Sequence, residues 1–136
     1  MEKLISLLEE NARLTNEQLA VMLGTTTEDV ANKIKQYEED GILIGYTAIV
    51  DKETLDKDYV EAFIELRVTP KPDFGFDEIA QRVAQYDEVK SVYLMSGGYD
   101  LAVIVSGRDF KDIALFVAKR LSVLDSVVST ATHFLL

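Results

Sequence analysis

Between Leu14 and Gly45 the chain carries two short amphipathic patterns separated by Leu23-Gly24-Thr25-Thr26, the second closing at Gly41 before an apolar strand. Few folds accept this arrangement, because it demands two helices meeting at a sharp, glycine-bearing turn. The first helix is expected to open at Thr15, whose hydroxyl accepts from the Gln18 amide while the Gln18 side chain reaches back to complete a capping box. Leu19, Ala20 and Leu23 share one face. Gly24 stands where the chain must turn, since a residue without Cβ takes the left-handed conformation at little cost. The second helix begins after Thr26, an N-cap with Asp29 three positions on, and carries Val30, Ile34 and Tyr37 at i, i+4 and i+7. Upstream, Leu4, Leu7 and Leu8 define a further amphipathic helix, and all three are expected to bury a core around Ala20. With an apolar strand after Gly41, this is the outline of a winged helix-turn-helix, whose second helix enters a DNA major groove. Taken alone, the pattern also fits a plain αα-hairpin.

On the DNA reading, the candidate contacts are Thr26, Thr27, Asn32, Lys33, Lys35 and Gln36. The lysines meet phosphate as point charges, and Asn32 has the donor and acceptor that pair with adenine; on a plain surface helix it is simply solvated. Glu28 and Asp29 favour the helix dipole but oppose approach to phosphate. Charge sharpens that conflict: residues 1–50 hold four Lys/Arg against nine Asp/Glu, and residues 51–136 ten against fifteen. Phosphate neutralisation supplies most non-specific affinity, so a single acidic module should bind weakly and depend on avidity from several copies.

The 136 residues, with two prolines, suit two minimal domains. No stretch has the apolar length of a membrane span, and Met1-Glu2-Lys3 lacks the basic-then-apolar plan of a signal peptide. Cysteine is absent, which removes disulfides and thiolate metal sites. A cytoplasmic protein is expected, with no membrane contact and no cofactor or metal.

After Val50 the pattern changes. Residues 51–58 form a charged linker between a DNA-binding domain over 1–50 and a second domain over 59–136. From Tyr59 to Thr69 apolar residues alternate, with Val60, Ala62, Ile64, Leu66 and Val68 on one side and Glu61, Phe63, Glu65 and Arg67 on the other. That is a strand covered on one face. Phe76, Ile79, Ala80, Val83 and Tyr86 then keep a helical period. Val89 to Met95 and Tyr99 to Val105 read as strands joined through Gly97-Gly98. A second helix runs from an N-cap at Asp109 through Ile113, Phe116, Val117 and Leu121, and Val127 to Leu136 closes as a strand. The order βαββαβ predicts a ferredoxin-like plait, and the chain as a whole is α+β. Leu101 to Val105 is apolar at both parities although helices cover only one side of such a sheet, so the other side is expected to meet a second subunit's sheet or be crossed by a local segment.

The sequence of features at Thr15-Asn16-Glu17-Gln18-Leu19-Ala20, Leu23-Gly24, Val30, Lys33-Ile34-Lys35, Glu38 and Gly41-Ile42 through Ile44-Gly45-Tyr46-Thr47-Ala48 resembles the Lrp/AsnC, or feast/famine, family of transcriptional regulators. Ser96-Gly97-Gly98-Tyr99-Asp100 and Thr130-Ala131-Thr132 look like the two marks of its effector domain, so the resemblance spans nearly the whole chain. It implies a DNA-binding homodimer paired through the plaits, often assembled into octamers. An amino acid would bind between dimers and alter assembly or DNA affinity. On that reading the Gly97 and Gly98 amides meet the effector's α-carboxylate, as exposed turn amides bind anions, and Asp100 takes its ammonium. Without the resemblance the same hairpin is a tight turn with Asp100 solvating its end. Ser96 and Tyr99 complete the loop. Thr130 and Thr132 share a parity and add hydroxyls, although alternating threonines are ordinary in strands.

Two departures stand out. The family tends to carry more arginine on the recognition helix, and Asp125-Ser126 occupies a turn where the family often has Pro-Gly. Siroheme decarboxylases use the same architecture, but there is no nucleophile motif, paired metal spacing or phosphate-binding glycine loop, and His133 is the only histidine. No enzyme is expected and no catalytic residue is assigned. A sensing module that acts through protein partners without DNA is the other alternative.

Overall fold

A computed structural model describes residues 3–136 and divides the chain into two compact units, 1–50 and 51–136. Met1 and Glu2, which entered the signal-peptide reading, lie outside the described residues.

The first unit holds α1 (Lys3–Glu10), α2 (Asn16–Leu23) and α3 (Thr27–Glu39). Thr15 caps α2 through the reciprocal pair with Gln18, at 3.1 Å to the Gln18 amide and 2.9 Å from its own amide to the Gln18 side chain. Gly24 ends the helix at φ 67°, ψ 37°, and the Thr26 hydroxyl opens α3 by accepting from the Asp29 amide at 3.1 Å. The core is Leu4, Leu8, Leu19, Ala20 and Val30, with Ile34 and Tyr37 packed on it. The apolar strand expected after Gly41 is not formed: residues 44–50 join no ladder, and Ile44 and Ile49 are 92% and 101% exposed. A strand needs an edge to pair with, and the described residues of this unit supply none.

The second unit opens with a helical turn, α4 (Lys52–Leu55), inside the segment read as a charged linker. Asp51 explains it, because its carboxylate accepts from both the Thr54 amide (3.2 Å) and hydroxyl (2.8 Å). Then come β1 (Val60–Val68), α5 (Phe76–Ala84), β2 (Val89–Leu94), β3 (Leu101–Gly107), α6 (Phe110–Phe116) and β4 (Val127–Phe134). The last turn of α6 opens into a π-type turn, Val117–Leu121. The strands form one antiparallel sheet in the order β2-β3-β1-β4, the plait that the sequence predicts. Ala62, Ile64, Leu66, Leu101, Val103 and Val105 are buried against Ile79, Val83, Ile113, Phe116 and Leu121 from the helices. Phe76, expected on the apolar face of α5, is instead exposed at its first turn.

The other sheet face is partly covered by its own residues. Phe63 packs edge-on against Tyr99, their centroids 6.1 Å apart, and Ala102 is buried between its cross-strand neighbours Glu65 and Tyr93. His133 meets Glu65 and Phe63 on this face.

Candidate nucleic-acid interface and effector site

Val30, Ile34 and Tyr37 hold the inner side of α3, and Asn32, Lys35 and Gln36 on its outer side and Lys33 on its flank are all exposed. Carboxylates lie beside them. Lys33 lies 4.0 Å from Asp29 and Lys35 4.0 Å from Glu39, both as i,i+4 pairs. Gln36 donates to both oxygens of Asp40 at 3.0 and 3.1 Å, and the Thr26 oxygen is committed to its cap. Thr27 and Asn32 face solvent. Exposed ion pairs of this kind contribute little, so phosphate can take over the lysines without breaking the fold. Behind the helix, the Tyr46 hydroxyl donates to Glu38 at 3.2 Å and ties the 42–50 segment to α3. Burial, and then Glu38, push the Tyr46 phenol above its ordinary pKa.

The loop between β2 and β3 is wider than the two-glycine hairpin expected. The strands stop at Leu94 and Leu101, and the Met95 amide closes the loop on the Asp100 carbonyl at 2.8 Å. Asp100 is the reason. Its carboxylate accepts from the Val68 amide at 2.8 Å, and its own amide donates to the Leu66 carbonyl at 2.9 Å, so a side chain replaces a ladder bond at the end of β1. Asp100 thus holds the end of β1 as well as closing the loop. Gly97 has φ 116°, which an L residue rarely adopts, whereas Gly98 has no positive φ and open space around its Cα. The left-handed requirement therefore falls on Gly97 alone.

Arg67, which sequence reasoning missed, donates through Nε to the Gly98 carbonyl at 2.9 Å. It comes from β1, 31 residues away, and only the strand order could reveal it. The Gly97 and Gly98 amides donate to no backbone acceptor among the described residues. Arg67, Gly97, Gly98 and Asp100 line a shallow polar cleft of about 270 Å³. Asp100 also borders an apolar cleft of about 160 Å³ with Phe76, Leu94 and Met95. Ser96 is exposed beside them, and Tyr99 is turned onto Phe63. Thr130 and Thr132 do not join this group within one chain. They pair with Leu66 and Ile64 across β1 and share the helix-side parity of those residues, at the β4 edge.

Among the described residues no helix is long and apolar enough to cross a membrane, and no cluster of three or more His, Cys, Asp or Glu is placed to hold a metal.

Comparison with known proteins identifies both units. Residues 61–136 match the family model of the Lrp/AsnC ligand binding domain, and residues 2–44 match a model of winged helix-turn-helix DNA-binding. An HTH-type transcriptional regulator of Bacillus subtilis, YugG, is 44% identical over 135 residues, covering 98% of this chain and 81% of the relative. A second HTH-type regulator, from Pyrococcus furiosus, is 34% identical over 131 residues, covering 96% and 85%. Among solved structures, a transcriptional regulator of Neisseria meningitidis in complex with L-Met superposes with a TM-score of 0.84 at 26% identity, covering 100% of this chain and 90% of that one.

Proposed function

Since the chain belongs to the Lrp/AsnC family of transcriptional regulators, we propose that this DNA-binding regulator takes an amino acid at the 96–100 loop and that the ligand changes its assembly or its affinity for DNA. The observation that carries this reading is the position of Asp100 between a polar and an apolar cleft. An amino acid has that same division. Its α-carboxylate meets the Gly97 and Gly98 amides with Arg67 beside them, its ammonium meets the Asp100 oxygen that Val68 does not use, and its side chain lies toward Phe76, Leu94 and Met95. The L-Met complex of the Neisseria regulator supports this ligand class. Thr130 and Thr132 reach the ligand from a second copy, which accounts for their distance from the loop within one chain and makes the site complete only in a homo-oligomer. On DNA, α3 presents Asn32 to a base edge, Lys33, Lys35 and Gln36 to the backbone, and Thr27 to the groove rim, while Thr26 fixes the helix start.

A thermal-shift screen of the full chain against the twenty amino acids tests the ligand class, since a ligand bound only to the folded state raises its melting temperature. A rise with one or a few amino acids, abolished in Asp100→Asn, is the expected result. No shift with any of them contradicts the reading.

A further inference from the structure

We propose that Lys90, on the β2 edge of the sheet, is a reactive amine set up by Lys52 and open to acylation by small acyl phosphates. Two elements from distant parts of the sequence bring the pair together. The ladder between β2 and β3 pairs Val89 with Val105 and then Ser91 with Ile104, so Lys90 is the extra residue of a β-bulge. A bulge re-aims the side chain it carries. Lys52 opens α4, the turn that Asp51 caps through Thr54, and its Nζ lies 5.7 Å from the centroid of the Tyr59 ring. The Tyr59 amide donates to the Asp56 carbonyl at 3.1 Å, which ties that ring to the end of the turn. The Tyr59 hydroxyl in turn meets the side chains of Glu61 and Ser106, which face each other across β1 and β3.

The Lys52 and Lys90 amines come within hydrogen-bonding reach of each other. Two ammonium groups cannot make such a bond, because neither has a lone pair to accept with, so one amine must be neutral. Lost hydration and then Lys52 hold the Lys90 ammonium below its ordinary pKa, with Glu61 pulling the other way. Neither lysine forms a salt bridge among the described residues, whereas Lys33, Lys35 and Lys71 each lie 4.0 Å from a carboxylate. A lysine beside a second cation keeps more free amine at neutral pH, and the free amine is the form that attacks a carbonyl carbon. Lys52 also supplies a positive charge for the phosphate of the acyl donor. The Lys90 nitrogen lone pair attacks the acyl carbon, the N–C bond forms, and the C–O bond to phosphate breaks. Phosphate leaves with that electron pair, and the nitrogen gives its proton to solvent. The product amide is uncharged, so acylation also ends the conflict between the two cations.

Timed reaction of the full chain with acetyl phosphate, read lysine by lysine by digestion and mass spectrometry, tests the proposal. Lys90 should acylate roughly five- to tenfold faster than Lys33, Lys35 and Lys71 in the same sample. Lys52→Gln removes the neighbouring charge and should slow Lys90 roughly three- to tenfold, whereas Lys52→Arg keeps the charge and should hold its rate within about twofold. Lys52 is exposed, so both variants should keep the circular dichroism and melting temperature of the wild type. In denaturing urea, where the two side chains part, the advantage of Lys90 should vanish. A Lys90 rate no higher than that of the paired lysines, an advantage that survives denaturation, or one that Lys52→Gln leaves unchanged overturns the proposal.

Discussion

At the residue scale, Asp100 serves the fold with one carboxylate oxygen and, in the proposed site, offers the other to a ligand, and substitutions separate the two duties. Asp100→Asn keeps an oxygen for the Val68 amide, so the urea midpoint should barely move while amino-acid affinity falls roughly ten- to hundredfold with the lost charge. Asp100→Ala removes both and should destabilise the protein by about 1–3 kcal/mol, because the Val68 amide is left without its acceptor. The glycines divide in the same way. Gly97→Ala should cost about 1 kcal/mol or more by forcing a Cβ into φ 116°, while Gly98→Ala, with open space around it, should fold as the wild type does. Denaturant titration of the four variants checks these outcomes. The loop itself was legible in Ser96-Gly97-Gly98-Tyr99-Asp100, but which glycine takes positive φ was not, because a Gly-Gly pair permits either. Arg67 was invisible as a site residue, since its partner is brought to it only by strand pairing.

At the element scale, α2, α3 and α6 were legible from their own starts, since Thr15, Thr26 and Asp109 all cap as their sequence positions suggest, and α5 from its apolar period alone. What failed were readings that depend on a partner or on a short local bond. The run after Gly41 has strand-like composition without an edge to join, and the supposed linker hid a turn nucleated by Asp51 and Thr54. Within α3, Lys33 and Lys35 are the cations of the proposed DNA face, each beside a carboxylate. Replacing both with Ala should weaken binding to all DNA sequences and flatten the salt dependence by about two counterions per docked helix. Asn32→Ala should instead reduce discrimination between sites more than general affinity. Fluorescence anisotropy over a range of salt concentrations reads both effects, and an unchanged slope for the double lysine variant would mean that α3 does not dock this way.

For the whole molecule, an acidic DNA-binding unit and an effector loop separated from Thr130 and Thr132 both call for more than one copy. The sheet face bearing Phe63, Tyr93 and Ile104 offers the contact, and light scattering at micromolar concentration should give at least a dimer. A monomeric mass would remove both the avidity and the composite site. The two-unit plan was legible from the change of period near Val50, whereas assembly is an expectation that rests on an apolar strand with more faces than the helices cover. The central claim is that an amino acid bound at the 96–100 loop controls DNA binding, and anisotropy of the protein's own upstream DNA, titrated with and without the amino acid found by thermal shift, tests it most directly. Wild type should change its DNA affinity when the ligand is present, and Asp100→Asn should bind DNA equally well without ligand but respond to none at the same concentration; an affinity indifferent to ligand in wild type, or an equal response in Asp100→Asn, would contradict the account.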